Sequence, residues 1–200
     1  MNERRPISLV AALAAALAAL SGCSETPSDP PPLAGARMGG PINLTDHRGR
    51  PFSSDSLRGK YRLIYFGYTF CPDICPVDLR VISAGLSQYE QRQAARATRV
   101  QPIFITTDPQ RDTPRVMWGY IRNFHPRLIG LTGSPEQIAQ VERAYGVYAS
   151  RREPSQPGGD YLVDHSRVAA LYGPQGEPIM ILPTDQGPGA IAAALERWVR

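Results

Sequence analysis

The chain has 200 residues, 42% hydrophobic and 20% charged, which is ordinary globular composition with apolar side chains enough for one well-buried core and not for two. Net charge is +4, carried almost wholly by arginine since Lys60 is the only lysine, and the basic residues are scattered along the chain. Dispersed charge of that kind reads as a solvated surface and argues against a nucleic-acid partner.

In chain order, the N-terminus reads as an address. Arg4 and Arg5 precede an unbroken Leu/Ala/Val run at 9–20. That run is too short for a comfortable span of about 20 residues but suits a signal h-region. It ends in Leu20-Ser21-Gly22-Cys23, which resembles the lipobox of bacterial lipoproteins. Residues 1–22 are therefore expected to be a signal peptide and Cys23 the lipidated residue. The Pro/Ser-rich stretch completing 23–38 is expected to be a semi-extended tether. A single domain is expected over 39–200, lipid-anchored in a bacterial cell envelope, in the periplasm or on the outer face of the cytoplasmic membrane.

Within the domain, 41–44 and 51–53 flank Asp46-His47-Arg48-Gly49 and predict a short N-terminal β-hairpin. The apolar, aromatic run 63–68 predicts a strand. A helix is expected from about Cys75-Pro76, with proline tolerated in the first turn, on toward Ala97. A second central strand is expected at 100–106. Thr113-Pro114 marks a helix start with Val116, Met117, Tyr120 and Phe124 on its inner face. A strand follows at 128–131. Ser134 and Gln137 form a capping box for a helix reaching about Tyr145. An edge strand at 147–149 and a polar loop at 150–160 come next. A hairpin pairs 168–172 with 178–182 across Gly173-Pro174-Gln175-Gly176, and a helix at 190–199 closes the chain. Alternating strands and helices followed by a hairpin give an α/β fold, a central mixed sheet flanked by helices. A strand running into a cysteine-bearing helix start points to the thioredoxin-like version of it.

The chemistry concentrates in Gly67-Tyr68-Thr69-Phe70-Cys71-Pro72-Asp73-Ile74-Cys75-Pro76. Residues four apart at a helix start have Cα atoms about 6 Å apart on one face. That distance suits either a closable disulfide or a two-thiolate metal clamp. Helix N-terminal N–H groups favour the thiolate, so both sulfurs are expected to be reactive. Two soft thiolates leave a metal under-coordinated, an imidazole is the natural third ligand, and such a set suits copper. Among the three histidines, His47 is expected to be solvated in its hairpin turn, and His125 to lie at a helix C-terminus where the dipole favours it. His165 follows the Gly158-Gly159 loop in Asp164-His165-Ser166, with Asp164 a candidate carboxylate to support the imidazole.

Four segments decide among these readings. The string from Gly67 to Pro76, Ile105-Thr106-Thr107-Asp108-Pro109-Gln110-Arg111-Asp112-Thr113-Pro114, Leu131-Thr132-Gly133 and Asp164-His165-Ser166 occur in that order and resemble the Sco/SenC family. The resemblance implies a membrane-tethered thioredoxin-like domain that binds one copper, Cu(I) or Cu(II), through Cys71, Cys75 and His165. It further implies a role in assembling the dinuclear copper centre, CuA, of cytochrome c oxidase. The implied partners are the CuA-bearing oxidase subunit, a copper donor protein, a thiol reductant and the membrane. Asp108 matches an acidic position of the family near the cysteines, where a carboxylate would assist proton or ligand traffic or serve only as a turn residue. The small side chains of Val168-Ala169-Ala170 depart from the family and are expected to loosen packing beside His165. The chief rival is a thiol–disulfide oxidoreductase that reduces cysteines of an oxidase subunit or another periplasmic target, with the same pair as its redox centre. A copper or redox sensor is a third class. A structural zinc site would want four ligands where three are evident.

Overall fold

The structure, a computed structural model, describes residues 29–154, 156 and 159–200. The expected signal peptide, Cys23 and Gly158 lie outside the described residues. Fourteen regular elements follow in order: β1 (Asn43–Asp46), β2 (Pro51–Ser53), β3 (Tyr61–Gly67), α1 (Ile74–Arg92), α2 (Ala94–Ala97), β4 (Val100–Thr106), α3 (Pro114–Ile121), β5 (Ile129–Thr132), α4 (Pro135–Tyr145), β6 (Ala149–Arg152), β7 (Leu162–His165), β8 (Ala169–Tyr172), β9 (Pro178–Ile181) and α5 (Pro188–Trp198). Among the described residues the main sheet runs β2-β1-β5-β4-β3-β8-β9, and β6 with β7 forms a separate ribbon. β3, β4 and β5 are parallel, while β1 and β8 join them antiparallel. The result is a mixed α/β architecture, the thioredoxin-like fold.

β3 is central because every one of its residues is buried, the pattern of a strand covered on both faces. Its alternation divides the interior. Leu63 and Tyr65 face a core with Leu79, Leu86, Met117 and Leu195. Ile64 and Phe66 face a second core with Ile103, Leu131, Val141 and Tyr145. Helices α1, α3 and α5 thus cover one face and α4 the other. Gly85 lets α1 and α5 approach closely, since a Cβ there would lie 2.5 Å from the Cβ of Ile191. A glycine inside a helix costs about 1 kcal/mol. Full burial of Leu86 and Ile191 at that contact offsets it at about 1.5–3 kcal/mol each.

Local chemistry sets the element ends. Ser134 and Gln137 make both halves of the capping box, and Thr113 accepts a hydrogen bond from the Val116 N–H to start α3. Three expectations are corrected. The first long helix stops at Arg92, with only the single turn α2 beyond it. α3 ends at Ile121, so Phe124 packs from the following turn and the buried face is Met117 and Ile121. Residues 150–152 belong to β6 and pair with β7, from Ala149 opposite His165 to Arg152 opposite Leu162. The end of the expected tether is fastened: the Leu33 N–H donates to Ile179 O at 3.0 Å, and the Gly39 N–H to Ala144 O at 2.7 Å. The small residues of β8 leave no opening to solvent, as Ala169 to Tyr172 are all at most 3% exposed.

Candidate metal centre

The polypeptide leaves β3 at Gly67, crosses Tyr68 to Asp73 and enters α1 at Ile74, placing Cys75 in the first turn and Cys71 just ahead of it. Asp73 occupies the N-cap without a side-chain cap bond. The Cys71 sulfur takes that task, accepting the Cys75 N–H at 3.4 Å. Gly67 leaves room beneath, since a Cβ there would lie 2.9 Å from Cys75 Sγ. Both cysteines are free thiols, Cys75 buried and Cys71 partly open. Their acidities diverge. The hydrogen bond from Cys75 holds Cys71 far below the usual thiol range, at about 4, with help from His165 and the Cys75 and Asp73 N–H groups. Cys75 is pushed strongly up, first by that same bond to Cys71 and then by burial. The pair therefore rests as an accessible thiolate beside a buried thiol.

His165 ends β7 and turns its ring toward the pair, with Nε2 3.4 Å from Cys75 Sγ. Nδ1 lies 3.0 Å from Ser166 O. Donation of an Nδ1 proton to that carbonyl leaves Nε2 free as a ligand nitrogen. The edge of Tyr68 packs on the imidazole at 5.8 Å between centroids. The donor atoms of Cys71, Cys75 and His165 all lie within 4.8 Å of one another. Two soft sulfurs and one borderline nitrogen at that spacing fit a copper ion or another soft cation.

The remaining candidates stand elsewhere. Asp164 points outward, half exposed and 3.3 Å from Arg152 Nη2, so the carboxylate expected behind the imidazole is replaced by the Ser166 carbonyl. Asp108 is buried and accepts from Arg111 Nε at 2.5 Å and from the Tyr161 hydroxyl at 2.8 Å. His47 is not solvated. It is buried, stacks on Trp118 at 5.2 Å and accepts the Gly130 N–H at Nδ1. His125 does not end a helix, since α3 stops four residues earlier; it is buried, 3.3 Å from Glu90 Oε2.

Comparison with known proteins settles the lineage. The SCO1/SenC family profile matches residues 31–200. The chain belongs to the SCO1/SenC family. It is 49% identical over 137 residues to the mitochondrial SCO2 homolog of Bos taurus, covering 68% of this chain and 50% of that one. It spans about half the length of curated relatives it matches. Among solved structures, Bradyrhizobium japonicum ScoI with copper bound is similar at 40% identity and a TM-score of 0.72, over 80% of this chain and 99% of that one. Yeast Sco1 with copper bound is similar at 36% identity and a TM-score of 0.73, over 81% of this chain and 88% of that one. Residues 31–200, the span that the family profile matches, form one compact unit.

Three fastenings around the Sco site escaped the sequence reading. Asp112, fully buried, accepts from the Thr69 N–H at 3.0 Å, the Thr69 hydroxyl at 2.5 Å and the Thr106 hydroxyl at 2.6 Å, and so pins the loop that carries Cys71 to the end of β4. Asp78, three residues after Cys75, takes both arms of the Arg167 guanidinium, Nε at 2.7 Å, and the Tyr65 hydroxyl at 3.1 Å. Arg167 stands two residues after His165, so this pair ties the histidine's segment to the cysteine helix. The Tyr161 ring lies between the guanidiniums of Arg111 and Arg151, 3.6 and 3.9 Å from its centroid, and fixes the start of β7. The one available signal was the second acid in Asp108-Pro109-Gln110-Arg111-Asp112; the Asp78–Arg167 pair has none, being set by topology.

Proposed function

We propose that this chain is a membrane-tethered copper carrier that binds one copper ion through Cys71, Cys75 and His165 and passes it to the CuA centre of cytochrome c oxidase. The observation that supports this most is the convergence of those three donors within 4.8 Å from elements 90 residues apart. The site needs both cysteines reduced. A disulfide would first accept two electrons and two protons from an external dithiol, which leaves as its own disulfide. Cys71 is then ready as a thiolate, and Cys75 gives up its proton when copper arrives. His165 closes the set through Nε2. Transfer proceeds by stepwise ligand exchange with cysteines and histidines of the acceptor. A lipid on Cys23, in the lipobox-like Leu20-Ser21-Gly22-Cys23, would hold the domain at the envelope membrane.

The test is copper stoichiometry, absorption and competition titration of the reduced protein against His165→Ala. One equivalent is expected in the parent, and the variant should lose more affinity than the roughly 10–100-fold that removal of a supporting group costs. Equal affinity would reject the assignment.

The asymmetry of the thiols favours one second reading, a thiol–disulfide oxidoreductase in which Cys71 attacks and Cys75 resolves. Turnover of a disulfide substrate that survives His165→Ala would favour it over the carrier.

A further inference from the structure

At the opposite end of β3 from the thiols, Arg62 presents a charge without a counter-ion. It is 6% exposed, and among the described residues no carboxylate lies within ion-pair distance of it. The other buried acidic side chains are provided for. Asp46 pairs with Arg50, Asp78 with Arg167 and Asp108 with Arg111, while Asp112 is held by threonine hydroxyls. Arg62 Nη2 donates to Ser54 O at 3.2 Å, the guanidinium also lies beside the Tyr145 hydroxyl, and Nε is buried with no acceptor. A guanidinium does not escape burial by losing its proton. A buried cation so placed calls for an anion.

The space beside it fits one. A pocket of about 540 Å³ is lined by Gly40, Ser54, Arg58, Gly59, Arg62 and Gly176. Gly176, at φ +89°, is so close that a Cβ would meet Arg62 Nη1 at 2.8 Å; only a glycine leaves that guanidinium edge uncovered. Asp55 also reaches the rim. It is 75% exposed and its Oδ1 is taken by both Nε and Nη2 of Arg58, which leaves the charge of Arg62 uncancelled. Arg62 lies five residues before Gly67 along β3, roughly 16 Å from the cysteine loop, so the pocket is separate from the metal centre.

We infer that this pocket is an anion site that takes a phosphate group, with Arg62 as its buried anchor and Arg58 as its exposed second contact. The phosphate is supplied either by a phospholipid head group or by a soluble phosphate ester. The first source rests on the proposed lipid anchor. Gly40 lines the pocket 17 residues beyond Cys23, a reach of at most about 60 Å, which brings membrane phosphates within range.

The test uses residues 31–200, which carry no lipid. Inorganic phosphate is titrated at constant ionic strength against chloride while the thermal midpoint is followed. Flotation with phosphatidylglycerol and with phosphatidylcholine vesicles is measured in parallel. A saturable rise in midpoint is expected with phosphate alone, abolished in Arg62→Gln and weakened about tenfold in Arg58→Gln, the loss of one charge-assisted contact. Copper stoichiometry should be unchanged in both variants, so the outcome is independent of the carrier reading. Phosphatidylglycerol flotation that falls in the variants identifies the lipid source; phosphate binding without flotation identifies a soluble ester. No saturable effect of phosphate on the parent, or an effect of equal affinity in Arg58→Gln, overturns the site even if Arg62→Gln does not fold.

Discussion

Removal of Arg167 should weaken both the fold and the metal centre. Asp78 is fully buried, and its carboxylate is answered by Arg167 and the Tyr65 hydroxyl. Loss of one partner of a buried pair costs about 3–5 kcal/mol. Arg167 is 41% exposed and water reaches its outer side. Tyr65 also still donates, so Arg167→Ala is expected to cost roughly 2–3 kcal/mol, less than a sealed pair. For a domain of this size that lowers the thermal midpoint by about 5–10 °C. The same substitution frees the segment after His165. Ordering a residue costs about 1–2 kcal/mol, so one or two residues released weaken copper binding by roughly ten- to a hundredfold. Differential scanning calorimetry and copper competition on the same preparations read the two effects. Arg167→Lys, which keeps the charge but not the two-armed contact, should fall between. A midpoint within about 1 °C of the parent together with unchanged copper affinity would refute the reasoning.

Alkylation of the reduced protein by iodoacetamide should modify Cys71 first. Because its folded value lies near 4, the thiolate is fully formed above about pH 6, and the rate should be flat from there to pH 8. A tenfold rise per pH unit over that range would mean an ordinary thiol. Tyr161→Phe should keep the ring between Arg111 and Arg151 and lose about 1 kcal/mol with the bond to Asp108. Tyr161→Ala should lose the cation–π contacts as well and alter the Cu(II) absorption; an unchanged spectrum would show that β7 is placed without it. Gly67→Ala should cost about 1–3 kcal/mol by overpacking and slow closure of the Cys71–Cys75 disulfide, since the added carbon meets Cys75 Sγ and Phe104; closure at the parent rate would contradict the crowding.

Local chemistry made much of this molecule readable in advance. The capping box at Ser134, the proline after Thr113 and the buried run of β3 each act within a few residues, and the structure has each of them in place. The two cysteines were legible for the same reason, as one helix start carries both. β6 was not, because Arg151 and Arg152 are polar edge residues whose strand character comes only from pairing with β7. His47 does sit in the hairpin turn, but β5 and Trp118 close over it and bury it, which the turn alone does not reveal. Asp164 was drawn toward the site by adjacency, yet in a strand neighbouring side chains point to opposite faces, so the inward turn of His165 sends Asp164 out. Contacts between residues 78 and 167, or 69 and 112, depend on how distant elements meet, and no local pattern encodes them.

On the carrier reading, this division between local and distant contacts has a functional consequence. The sulfurs sit between β3 and α1, a helix packed by fully buried side chains, with Cys75 in its first turn and Cys71 in the loop before it, held by the bond from the Cys75 N–H and by Asp112 on Thr69. The imidazole belongs to a two-stranded ribbon outside the main sheet. That ribbon and its flanks are held by Tyr161 on Asp108, by the Ser166 N–H on Tyr148 O and the Tyr148 N–H on Ser166 Oγ, and by Arg167 on Asp78. Apart from Val163, which is buried against the main core, these are polar fastenings, and water replaces a polar contact at a net cost of about 0.5–1.5 kcal/mol each, more for the charged pair. On this reading His165 is the ligand that withdraws, while separation of the cysteines requires breaking the Cys71 cap on α1 and the Asp112–Thr69 bonds. A metal held by two fixed thiolates and one detachable nitrogen stays bound when the third ligand leaves, and it then offers an open coordination position to the acceptor's first ligand.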